Sequence, residues 1–113
     1  MTTETHLDDA ILSDLKEMME GEFEFLVTTF IDDSKQRLED IQSYLETDNP
    51  AEFGRACHSL KGSATNLGLP NLSDLCRQGE EMGYGGQLNQ AVELVDQIKT
   101  EFDQVSVLLK DYI

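Results

Sequence analysis

At 113 residues with 39% hydrophobic content, the chain is long enough to close one core without metal or disulfide staples. Its 23 Asp and Glu against 8 Lys and Arg give a formal net charge of −15, which argues against nucleic acid and anionic membrane surfaces as partners, since both need a positive footprint. No apolar stretch approaches the roughly 18 residues of a membrane span, and Met1-Thr2-Thr3-Glu4-Thr5 has neither the charge nor the apolar run of a signal peptide, so a cytoplasmic protein is expected.

Leu7 to Met19 reads as a short amphipathic helix with Leu7, Ala10, Ile11, Leu15, Met18 and Met19 on one side. His6, just before it, lies in a polar tail with no partner in register and is assigned no function. Gly21 breaks the pattern, and a longer helix follows from about Glu22 to Thr47 through Phe23, Leu26, Val27, Phe30, Ile31, Leu38, Ile41 and Leu45. Asp48-Asn49-Pro50 ends it and starts the next, because the residue before proline avoids the helical region while proline fits the first helical position, with Asn49 as a cap.

The third helix, about Pro50 to Leu67, stops at Gly68, and Leu69-Pro70 leads tightly into a fourth of about Asn71 to Met82 that buries Leu72, Leu75, Cys76, Gly79 and Met82. Gly83-Tyr84-Gly85-Gly86 breaks that helix; it lacks the Lys-Ser/Thr that follows a nucleotide loop and reads as a turn. A last helix from about Leu88 to Tyr112 turns Ala91, Val92, Val95, Ile98, Phe102, Val105, Leu109 and Tyr112 inward. Nothing reads as a strand. Short connections imply antiparallel neighbours, so the expectation is an all-α fold: an antiparallel up-down four-helix bundle with a short additional N-terminal helix, one domain over residues 1–113.

Chemistry concentrates in Arg55-Ala56-Cys57-His58-Ser59-Leu60-Lys61-Gly62-Ser63-Ala64-Thr65-Asn66-Leu67-Gly68. At roughly 100° per residue this helix gathers Phe53, Ala56, Cys57, Leu60, Ala64 and Leu67 on one stripe and turns His58 outward. Arg55, Lys61 and Gly62 are the ring's neighbours at three and four residues. Glycine inside a helix costs about 0.8–1 kcal/mol relative to alanine, so Gly62 wants a reason. The one offered by the spacing is missing bulk: a side chain there would stand over the ring, whereas glycine leaves room for another protein to approach it. A neutral imidazole has a ring-nitrogen lone pair free for nucleophilic attack. Lys61, three residues on, brings an ammonium to the same face. Arg55, Lys61 and Arg77 set a local positive charge against the acidic total.

His58-x-x-Lys61-Gly62-Ser63-Ala64-x-x-Leu67-Gly68 resembles the signature of the histidine-containing phosphotransfer (HPt) domain of two-component phosphorelays, and that family's helical layout extends over nearly the whole chain. The resemblance implies that Nε2 of His58 accepts a phosphoryl group from a receiver-domain aspartate and passes it to a response-regulator aspartate, with the Lys61 ammonium reaching the phosphoryl oxygens. It implies that Glu80, on the next helix, accepts a hydrogen bond from Nδ1 and so fixes the tautomer, although Gln78 on the opposite flank remains an alternative. The partners implied are receiver domains of a hybrid sensor kinase or response regulator, met by a monomer through Arg55, Gly62, Ser63, Thr65 and Arg77. No cofactor is implied for the chain itself; Mg²⁺ is expected on the partner receiver. Met19-Glu20-Gly21-Glu22-Phe23 with Phe30 and Asp33-Ser34 also resembles free-standing bacterial HPt proteins of the HptB type.

Two other classes stay open at this point. A helical-bundle adaptor could bind a signalling partner without phosphate. A small redox or metal protein would use Cys57 and Cys76, but both fall on apolar stripes and their spacing with His58 and Glu80 matches no zinc template. Ser59 and Ser63 lack the third orienting group of a nucleophile-base system.

Overall fold

Apolar residues recurring at three and four positions, with proline opening two of the helices, give five α-helices in the computed structural model, which describes residues 6–113. The signal-peptide reading of residues 1–5 lies outside the described residues. The helices are α1 (Asp9–Met19), α2 (Phe23–Glu46), α3 (Pro50–Asn66), α4 (Pro70–Tyr84) and α5 (Val92–Lys110), with 3-10 turns at Glu20–Glu22 and Leu88–Gln90. Among the described residues there is no strand. Helices α2 to α5 run up and down as an antiparallel bundle, and α3 with α4 forms its most extensive pair.

Helix α1 closes the end of the bundle where α2 begins, α3 turns into α4, and α5 finishes. The Asp8 backbone N–H donates to Gly68 O at 2.7 Å, and Tyr112 on the last turn donates its hydroxyl to Asp9. The Phe23 and Tyr112 rings pack at 6.5 Å between centroids. Gly68 has φ +70°, the left-handed conformation that closes α3, and a Cβ there would lie 2.9 Å from Ile11 Cβ, so the turn and α1 fit only around glycine.

The core runs through all five helices and holds Leu12, Phe23, Ile41, Phe53, Leu60, Leu72, Ile98 and Leu109 almost wholly out of water. Truncating a residue such as Phe53 to alanine should cost about 3–5 kcal/mol. Cys57 and Cys76 are free and buried there, and burial pushes the Cys57 thiol up to about 12 and the Cys76 thiol higher still.

Four sequence expectations need correction. In α1 the buried residue is Leu12, with Leu15 and Met19 partly covered, while Ala10, Ile11 and Met18 are exposed. Asp8 caps the helix, its carboxylate accepting from the N–H groups of Ala10 at 3.1 Å and Ile11 at 3.3 Å, so Leu7 packs into the core from outside the helix and gives no phase for it. Asn49 sits at the start of α3 but its side chain makes no capping bond. Val92 is exposed because α5 begins there, and Leu94 with Val95 takes its place in the core. Gly83 does not break α4: the helix runs through it to Tyr84, and a Cβ on Gly83 would lie 2.5 Å from the Gly54 backbone nitrogen, so glycine marks a close helix crossing.

Candidate functional site

The stripe Phe53, Ala56, Cys57, Leu60, Ala64 and Leu67 is buried to the last residue, which leaves His58 on the opposite side of α3 with its side chain 64% exposed. On α4, Leu72, Cys76 and Gly79 are buried, and Glu80, one position past Gly79, stands at the edge facing α3. There its carboxylate meets two donors. Oε2 pairs with Nδ1 of His58, while Lys61 Nζ donates to Oε1 at 2.8 Å and to Oε2 at 3.3 Å.

The Glu80 side chain is only 15% exposed, and its carboxyl is held below the usual carboxylate range. The hydrogen bond from Lys61 is the largest cause, burial works against it, and the hydrogen bond from His58 adds to the lowering. A carboxylate can only accept, so the proton of the neutral ring belongs on Nδ1. The Nε2 lone pair is then free, and Nε2 has no hydrogen-bond partner among the described residues.

The other expected residues are placed less centrally. Gln78 bonds Asp74 at 3.0 Å and does not meet the ring. Arg55 donates to Glu52 on its own helix. Arg77 donates through Nε to Asp74 at 3.0 Å and through Nη1 to Glu81 at 2.8 Å; these contacts hold the Asp74 carboxyl below its usual range and raise the guanidinium. The local positive charge expected around His58 is therefore offset, since Arg55, Lys61 and Arg77 each lie against a carboxylate of the chain itself. Pairs on the exposed surface of one helix are screened by water and salt, so they tether these arginines weakly.

At Gly62 a Cβ would meet no heavy atom within 4 Å, the ring included, so the position is open space beside His58. Thr65 Oγ1 donates to Lys61 O at 2.9 Å and shares a hydrogen bond with Ser73 Oγ at 2.7 Å, tying α3 to α4 next to Lys61. Ser63 and Ser59, the residue after His58, line a groove of about 410 Å³ between α1, α2 and α3; Leu15, Met19, Phe30 and Leu60 form much of its wall.

The sequence did not place Lys61 against Glu80, nor Thr65 against Ser73. For the second a signal exists: Thr65 and Ser73 lie equally far on either side of Leu69, as do His58 and Glu80, and an antiparallel turn sets such positions face to face. His6 is a correction as well. Its Nδ1 meets Glu101 Oε2 at 2.7 Å, so it has a partner on α5.

Among the described residues, no helix is long and apolar enough to cross a membrane, and no group of three or more His, Cys, Asp or Glu is arranged to hold a metal ion. The family described as Hpt domain matches residues 26–107. The phosphorelay intermediate protein YPD1 of Candida albicans is 33% identical over 100 residues, covering 86% of this chain and 53% of that protein. The chain thus spans about half the length of the curated relative it matches. The crystal structure of histidine-containing phosphotransfer protein B (HptB) from Pseudomonas aeruginosa PAO1 matches with a TM-score of 0.92 at 36% identity, over 95% of this chain and 93% of that one.

Proposed function

The chain belongs to the Hpt domain family, and we propose that residues 1–113 act as a single phosphotransfer domain in a phosphorelay, accepting a phosphoryl group on His58 Nε2 from a receiver-domain aspartate and giving it up to the aspartate of a response regulator. The observation that carries this reading is the exposed ring anchored by Nδ1 to a carboxylate that Lys61 also holds. It is supported by the phosphotransfer and phosphorelay names of the matched relatives.

The chemistry follows from that arrangement. The Nε2 lone pair attacks phosphorus, an N–P bond forms, and the P–O bond to the donor carboxylate breaks with its electron pair leaving on that carboxylate. The ring gains positive charge as this happens. Glu80, fixed beforehand on the Nδ1 proton, offsets that charge without having to move into place. Lys61 stands three residues along the same helix face, and its ammonium is long-armed enough to meet the phosphoryl oxygens. Transfer onward is the same step reversed.

The groove beside Ser59 and Ser63 offers a receiver an apolar seat next to the acceptor, and Met18 and Phe25, next in sequence to the lining residues Met19 and Leu26, stand exposed. The domain would work in the cytoplasm, as a monomer, with receiver domains as its partners.

The test is transfer of labelled phosphoryl from a panel of phosphorylated receiver domains to wild type and to His58→Gln. Acid-labile label on wild type alone is the expected result. Equal labelling of His58→Gln would move the acceptor elsewhere. Binding of both proteins with no transfer to either would favour the phosphate-independent adaptor.

A further inference from the structure

Helices α3 and α4 cross backbone to backbone at Gly54 and Gly83, and one turn earlier on α4, directly under the polar cluster, Gly79 again leaves out a side chain. A Cβ on Gly79 would fall 2.7 Å from Sγ of Cys57 and 3.4 Å from its Cβ, with Leu94 Cδ2 of α5 behind at 3.7 Å. Cys57 immediately precedes His58, and Gly79 immediately precedes Glu80. The packed pair and the hydrogen-bonded pair are therefore successive positions on the same two helices, one step inside the core and one step out.

We infer that Gly79 and Cys57 are positioning residues for the transfer reaction, their contact setting the α3–α4 separation at which Glu80 reaches Nδ1 of His58. The inference rests on the reading of His58 as phosphoryl acceptor. The Cys57 Cβ would be at ordinary contact distance from a methyl group at position 79, so the conflict is with the thiol, and Cys57 is wholly buried, with no exposed surface for the thiol to turn into. Close-packed interiors pass such a displacement on to their neighbours. A hydrogen bond stretched to about 3.6 Å has ceased to be one, so a shift of about an ångström is enough to release the ring. An unanchored ring is free to carry its proton on Nε2, which removes the lone pair that attacks.

The ¹⁵N shifts of the His58 ring report which nitrogen holds the proton, need no phosphoryl donor, and would not respond to a loss of stability alone. Wild type is expected to carry the proton on Nδ1. Gly79→Ala is expected to move it toward Nε2 at unchanged helicity and to slow transfer about tenfold, the scale of one lost charge-assisted hydrogen bond. Gly79→Ala combined with Cys57→Ala makes room for the added methyl and is expected to restore both tautomer and rate. A folded Gly79→Ala protein with the wild-type tautomer would overturn the inference. Should the single variant not fold, the double variant decides: folded with the proton on Nδ1 it supports the inference, unfolded or with an altered tautomer it overturns it. The two readings fail separately, since wild type that takes up no phosphoryl group while its ring shifts behave as described contradicts phosphotransfer but not the positioning of the ring.

Discussion

Two histidines in this molecule each set Nδ1 against the Oε2 of a distant glutamate, and they differ in how far the ring is exposed. At His58 the ring is exposed, and Glu80 is shared with Lys61. At His6 the side chains of His6 and Glu101 are 13% and 6% exposed, and no cation pairs with Glu101 among the described residues. The buried pair works as a tether. Together with Leu7 in the core and the Asp8 bond to Gly68, it draws the start of the described chain against α5 and the α3–α4 turn. A histidine–glutamate contact is thus no signature in itself. What separates the two is exposure of the ring, 64% of the side chain at His58 against 13% at His6.

The largest effect should separate the two histidines outright. His58→Gln is expected to abolish phosphoryl uptake in the receiver assay and His6→Gln to leave its rate unchanged; label on His6 would break the contrast. The next effect tests the anchor. Glu80→Ala should slow transfer by about 10- to 100-fold, the range for a hydrogen bond to a charged group, with circular dichroism unchanged. Unaltered single-turnover kinetics would remove Glu80 from the site.

At the buried pair the effect should appear in stability instead. His6→Ala leaves the Glu101 carboxylate covered and without its donor, at a cost of about 1–3 kcal/mol, readable as a fall of several degrees in Tm while transfer is preserved. A melt indistinguishable from wild type would show that the tether contributes nothing.

The smallest effect is the pH dependence at Glu80. Its folded-state value is depressed, so the carboxylate stabilises the fold above the ordinary glutamate value of about 4.3, and that contribution disappears as pH falls through the lower folded value. Denaturant titrations of wild type and Glu80→Gln should differ at neutral pH and converge in acid. A gap that persists at low pH would contradict the Lys61 and His58 contacts as its source.

The bundle was readable because α2 to α5 carry long apolar repeats bounded by proline and glycine, and each repeat fixes its own phase. In α3 that phase alone turned His58 outward. Helix α1 misled because it is short: counting Leu7 as helical shifted the face and hid Leu12. Gly83 misled because glycine has two uses, and sequence spacing does not separate a chain break from a close crossing with Gly54. Around the histidine, the preference for Glu80 over Gln78 followed from family resemblance, and periodicity alone did not separate them. Arg55 and Arg77 looked free in the sequence, yet helical neighbours at three and four residues already hold them.

The measurement that bears most directly on the account is the one-bond ¹⁵N–³¹P coupling in ¹⁵N-labelled protein loaded from a phosphorylated receiver domain. A coupling at Nε2 of His58, with the proton retained on Nδ1, is the predicted result. Phosphorus bonded to Nδ1 of His58, or to His6, would contradict it.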